Sequence, residues 1–131
     1  MSSKAHAQHN KAVCELLLSH KNFNDWVVTT AFYSALHYVQ SKVFPYTDEK
    51  GATHNNIDEY LNYLSSTSAG KKDSKHSATI KLVNKELRSI RTHYRWLYDT
   101  CMTARYSQYK VPKSTALEAK ESLLKIEAAC D

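Results

Sequence analysis

From Ser77 to Tyr106 the chain runs for thirty residues without a glycine or a proline, and the whole 131-residue sequence holds only two of each. Tight turns draw on those two residues, so a fold of many short strands is excluded and a few long elements remain. Helices are the natural inference. Hydrophobic residues at 42% and charged residues at 24% lie near the globular average, which excludes wholesale disorder and a fibrous protein. The length fits one compact domain over 1–131.

Ala5, Ala12, Val13, Leu16, Leu17 and Leu18 fall mostly on one side of a helix from about Ser3 to His20. Asn22 or Asn24 can cap a second helix, which starts at Asp25 and ends near Val43 or Phe44, before Pro45. Its β-branched and aromatic content also suits a strand, but about twenty residues exceed the usual strand length. Pro45 to Thr53 reads as an exposed connection, followed by a short helix from about Asn56 to Leu64. Small polar residues from Ser65 to Ser74 predict a mobile loop at about 65–76. Ser77 to Tyr106 is then one long helix or two nearly coaxial pieces. Pro112 marks a break, and Ser114 to Ala129 forms a last amphipathic helix.

The expected fold is all-α: an up-and-down antiparallel four-helix bundle with an extra short helix. No apolar run approaches the ~18 residues of a membrane span, and the N-terminus lacks a signal-peptide stretch, which predicts a cytoplasmic protein with no membrane partner. Cys14, Cys101 and Cys130 are odd in number and far apart, which suits a reducing compartment better than a disulfide framework.

A net charge of +5 favours phosphate-rich partners through long-range steering. An advance of about 100° per residue puts Val28, Ala31, Phe32, Ala35, Leu36, Val39 and Val43 on one broad face of the second helix, the core face. Trp26, Thr30, Tyr33 and His37 form a second stripe roughly opposite. That stripe packs under the connection or forms a cleft floor or dimer seam. In the long fourth segment, Val83, Leu87, Ile90, Tyr94, Leu97 and Cys101 share one side, and Arg88, Arg91, Arg95, Asp99 and Met102 another. The arginines make a basic ridge suited to bidentate phosphate contacts, or a solvated face paired with neighbouring carboxylates. Tyr98 and Tyr106 flank it as platforms for bases. Arg105 lies nearer the apolar side, with its stem expected to be buried and its head paired.

His93 has the pKa range for acid–base chemistry, but on a regular helix it stands about 140° from Arg88. The two converge only at a kink or across two subunits. His6 and His9 lie three apart without a third ligand at a supporting spacing, so no metal is expected. No glycine-rich phosphate loop or nucleophile elbow occurs, and no cofactor is implied.

Asp25-Trp26, Ala31-Phe32-Tyr33-Ser34-Ala35-Leu36-His37, His54 before a short helix, Tyr94-Arg95-Trp96-Leu97-Tyr98 and Ala104-Arg105-Tyr106 together resemble the HEPN superfamily, the higher eukaryotes and prokaryotes nucleotide-binding domain. The resemblance runs from the first helix to about Tyr106. It implies a bundle of four or five helices, often a homodimer, frequently encoded with toxin–antitoxin or other defence systems. Catalytic members are metal-independent ribonucleases with an arginine followed, after four to six residues, by a histidine near a dimer cleft. Arg88 to His93 meets that spacing at its lower limit, with Ser89 where the family commonly has a charged or amide residue. By this likeness, His93 would handle the ribose 2′-hydroxyl proton and Arg88 would stabilise the phosphate charge. Other members lack the motif and act as partners or binding modules. Two readings follow. One is a dimeric module that binds a nucleotide, RNA or an antitoxin-type protein, with Arg91, Arg95, Arg105, Tyr98 and Tyr106 at the phosphates and bases and Trp26, Tyr33 and His37 at the cleft or dimer face. The other is an endoribonuclease that uses Arg88 and His93.

Overall fold

The computed structural model describes residues 2–67 and 73–131. The fold is all-α apart from one small hairpin. Helix α1 covers Ser3–Leu18, and its start is fixed by Ser2, whose hydroxyl accepts the Ala5 amide N–H at 3.2 Å. Helix α2 covers Asn24–Val43 and ends where Pro45 forbids continuation. Neither Asn22 nor Asn24 caps it. The N-cap is Phe23, and the Asn24 amide instead donates to the Val111 carbonyl at 3.0 Å, tying the head of α2 to the chain before the last helix.

The connection after Pro45 is more ordered than a plain loop. Strands β1 (Tyr46–Thr47) and β2 (Thr53–His54) pair antiparallel around a turn organised by Asp48. Its Oδ1 accepts the N–H groups of Lys50 and Ala52, and its Oδ2 lies 2.9 Å from Nε2 of the buried His54. The His54 bond, against the opposing pull of burial, keeps the Asp48 carboxyl below its usual range. Gly51 supplies the left-handed residue of the turn at φ 85°.

Helix α3 covers Ile57–Thr67 and opens with a reciprocal cap, in which Asn56 Oδ1 accepts the Glu59 N–H while its amide reaches Glu59 Oε2. Helix α4 covers Lys75–Glu86 behind the Ser74 cap. Both ends of the expected mobile loop are therefore helical, at 65–67 and 75–76, and its centre, 68–72, lies outside the described residues.

The thirty-residue rod is broken. At Leu87 (φ −129°, ψ 55°) the backbone leaves the helical region, Arg88–Ile90 form a single 3₁₀ turn, and helix α5 begins at Arg91 and runs to Tyr106. Lack of Gly and Pro removes the cheapest breakers but does not compel continuity. Here packing decides: the turn sinks Ile90 into the core while α4 packs over α3 and α5 lies along α2. Angles reckoned along one rod therefore do not carry across Leu87. Helix α6 covers Lys113–Cys130.

Helix α2 is the centre of the packing, against α1, α5 and α6. The expected core face is buried except for half-buried Leu36, and Val27 and Tyr38 are buried as well. Helices α1 and α6 run antiparallel, because their ion pairs, Lys4–Asp131, Lys11–Glu127 and Glu15–Lys120, occur in reverse order along the two helices. All three cysteines are free thiols. Among the described residues, no helix is long and apolar enough to cross a membrane.

Candidate functional site

The second stripe of α2 is the floor of a cleft. Trp26, Thr30, Tyr33 and His37 reach it from α2, His6 and Asn10 from α1, and Arg105 from α5, around a cavity of about 440 Å³. The helical phase of α2 places this stripe away from its apolar face, so three helices can converge there without filling the space.

The cleft's chemistry is unusual for a helix seam. His6 stacks on His37 with ring centroids 3.7 Å apart and planes 20° from parallel. Burial, with His6 beside it, pushes the His37 pKa below the ordinary histidine value, so His37 is neutral near pH 7. The Arg105 guanidinium donates to the Tyr33 hydroxyl and lies over the Tyr106 ring, 4.9 Å from its centroid. Its partner is a phenol rather than a carboxylate, so its charge is not neutralised. Burial raises the Tyr33 pKa, with Arg105 pulling the other way, and the hydroxyl keeps a proton to donate into the cleft. Trp26 stands at the rim, 54% exposed.

Behind Tyr33 lies His76 of α4, packed against Phe32, Tyr33 and Tyr98 at centroid distances of 5.6, 6.4 and 5.5 Å. Its Nδ1 is buried and has no hydrogen-bond partner among the described residues. Burial, then Arg105, lowers its pKa.

Of the residues singled out in the sequence, Trp26, Tyr33, His37 and Arg105 come together here. Arg105 is exposed rather than buried along its stem, and its head is held by Tyr33. Tyr106 is exposed beside it. The Tyr98 ring packs on Phe32 and His76, with the Arg95 guanidinium over it, 5.9 Å from its centroid. Arg91 and Arg95 lie elsewhere, around a shallow depression they share with Thr92, Trp96 and Asp99, and the Arg95 Nε is held at 3.2 Å from both Asp99 oxygens. Arg88 is exposed on the 3₁₀ turn and His93 half-buried in the first turn of α5. His9 is exposed apart from the His6–His37 stack, and among the described residues no three His, Cys, Asp or Glu side chains gather to hold a metal.

Sequence reasoning missed Asn10 and His76, and it considered His6 only as half of a metal pair. His76 sat in the stretch read as a loop. The phase of His6 relative to α2 is a tertiary fact with no signal in local periodicity. Comparison with models of protein families, with curated proteins and with solved structures finds no match to this chain.

Proposed function

We propose that this chain is a HEPN-like helical module, with α1, α2, α5 and α6 as its four-helix bundle, that binds the phosphate and base of a nucleotide or RNA in the α1–α2–α5 cleft. The observation that carries the reading is the Arg105 guanidinium, aimed by a phenol rather than neutralised by a carboxylate, in a cavity that also holds the half-exposed Trp26. A forked cation and a protonated hydroxyl suit a phosphate, and an indole at the rim suits the base attached to it. Titration of AMP and of short RNA, followed by quenching of tryptophan fluorescence, tests it. Arg105→Ala should weaken binding at least about tenfold, or ~1.4 kcal/mol. Arg105→Lys should recover only part, because the fork is lost. Absence of binding, or equal binding by Arg105→Ala, overturns the reading.

A second reading, a metal-independent endoribonuclease using Arg88 and His93, is favoured by the 3₁₀ turn at Arg88–Ile90, which takes Arg88 out of the regular helix that carries His93. The same RNA samples report on it, since cleavage that persists in His93→Ala rejects that role.

A further inference from the structure

The cleft around Arg105 is one end of a longer groove. It shares Trp26, Thr29 and Arg105 with a smaller cavity of about 170 Å³. That cavity shares Asp25 and Tyr109 with a third, of about 400 Å³, at the head of α2. Lys21, from the α1–α2 connection, and Lys110, from the connection before α6, border the third cavity. The three cavities follow α2 from its first turn to His37. The twelve residue steps from Asp25 to His37 correspond to about 18 Å of helix axis, the length of about five stacked nucleotides at ~3.4 Å each.

The lining repeats one chemistry along that length. Arg105 stands where the first two cavities meet and Lys21 with Lys110 border the third, against the carboxylate of Asp25 among the described residues. Aromatic rings lie between and beside them: Trp26 is 54% exposed and Tyr109 67% exposed. The two rings line one cavity rather than standing scattered over the surface. Rings spaced between cations offer stacking surfaces between phosphate contacts, which is how unpaired strands are held without sequence readout.

We propose that this groove holds a single strand of nucleic acid several nucleotides long, with its phosphates at Arg105, Lys21 and Lys110 and its bases on Trp26 and Tyr109. The inference rests on the nucleotide reading of the Arg105 cleft and names the ligand class. A mononucleotide fills only the Arg105 end. A duplex, whose bases already stack on one another, leaves Trp26 and Tyr109 idle. Asp25 faces the groove, and a carboxylate there accepts from a base N–H, the N3–H of uracil included.

The test uses the whole chain, uridine monophosphate, oligouridylates of increasing length, and a blunt RNA duplex, with binding followed by fluorescence anisotropy or calorimetry. Affinity should rise with length to about five nucleotides and then level off, and the duplex should bind more weakly than the strand. Tyr109→Ala should weaken the longer strand roughly tenfold while leaving uridine monophosphate unchanged. Lys21→Ala with Lys110→Ala should flatten the slope of log affinity against log salt by about 1.4, at ~0.7 per phosphate contact. If Tyr109→Ala fails to fold, the lysine pair and its salt slope carry the test. If uridine monophosphate and the strand bind alike and neither variant changes either, the groove is not a track, although the Arg105 cleft keeps its ligand. A duplex that binds as tightly as the strand also overturns the proposal. If no ligand binds at all, the reading of the cleft itself falls, and the track with it.

Discussion

Glu127 joins three helices, and its removal is a test of the packing with a calculable size. Its carboxylate on α6 accepts the Tyr38 hydroxyl of α2, and both its oxygens take the Lys11 ammonium of α1, at 2.9 and 3.0 Å. Tyr38 is buried, and the Glu127 side chain is 23% exposed. In Glu127→Ala the Tyr38 hydroxyl is left buried without a partner, a loss of ~1–3 kcal/mol. The Lys11 pair, with side chains 24% and 23% exposed, adds up to about 1 kcal/mol. The sum expected is about 1–4 kcal/mol. Glu127→Gln keeps an acceptor for Tyr38 and should cost about 1 kcal/mol. Because Tyr38→Phe removes the same hydroxyl, the double variant Tyr38→Phe with Glu127→Ala should fall short of the two single losses by about 1 kcal/mol. Burial pushes the Glu127 carboxyl up, but the bonds from Tyr38 and Lys11 outweigh it and hold the pKa below the usual value. The unfolded chain therefore takes up this proton at higher pH than the native one. The stabilisation is complete above the ordinary glutamate pKa and is lost as pH falls through the lowered native value. Urea denaturation at pH 7 and at a series of acid pH values measures both effects. If Glu127→Ala lies within about 0.5 kcal/mol of the parent and shows the same acid profile, the bridge between α1, α2 and α6 is not made.

Two further outcomes follow from the same contacts. Phe32 is fully buried, with the rings of Tyr33, His76, Tyr94 and Tyr98 within 5.7 Å of its centroid, so Phe32→Ala should destabilise by about 3–5 kcal/mol in urea denaturation. His37 and His76 both have native pKa values lowered first by burial, so the unfolded chain binds their protons more tightly. Their contribution should be full above about pH 6.5 and decline as pH falls below it. Melting temperatures across that range should drop less steeply in His37→Gln and His76→Gln than in the parent.

The broad outline of the fold was legible because it depends on local rules. The scarcity of Gly and Pro and the two faces of α2 sufficed to place α1, α2 and α6 within a residue or two. The α4–α5 break was not legible. Leu87, Arg88 and Ser89 carry no strong breaker, and the turn exists because Ile90 is pulled inward by residues distant in sequence. The hairpin was hidden for a similar reason: Asp48 and Gly51 mark a turn, but the buried partner that fixes it, His54, is six residues away from Asp48. The site was half legible. The α2 stripe was visible from period alone, whereas Arg105, near the apolar side of α5 by period, stands exposed in the last turn of that helix. His76 went unseen because Ser74 gives α4 an early start within a stretch of polar composition.

The position of that error is informative about function. Around Phe32 the packing is aromatic and dry, and a leucine or phenylalanine at positions 37 and 76 would bury more apolar surface at no cost in unpaired polar atoms. The chain instead keeps His37 and His76 with depressed pKa values, gives His76 Nδ1 no partner among the described residues, and holds an arginine by a phenol beside them. These departures from the best packing come from α2, α4 and α5, and they open on the same cleft or lie directly behind it. Local rules broken in one place, while the rest of α2 obeys them, are expected where a ligand supplies the missing interactions. The exposed ridge at Arg91 and Arg95 shows no such cost, since Asp99 already answers Arg95 and the residues stand in water. On the proposed reading the weight therefore falls on Arg105 and its partner Tyr33, which share the cleft, rather than on the more conspicuous run of arginines.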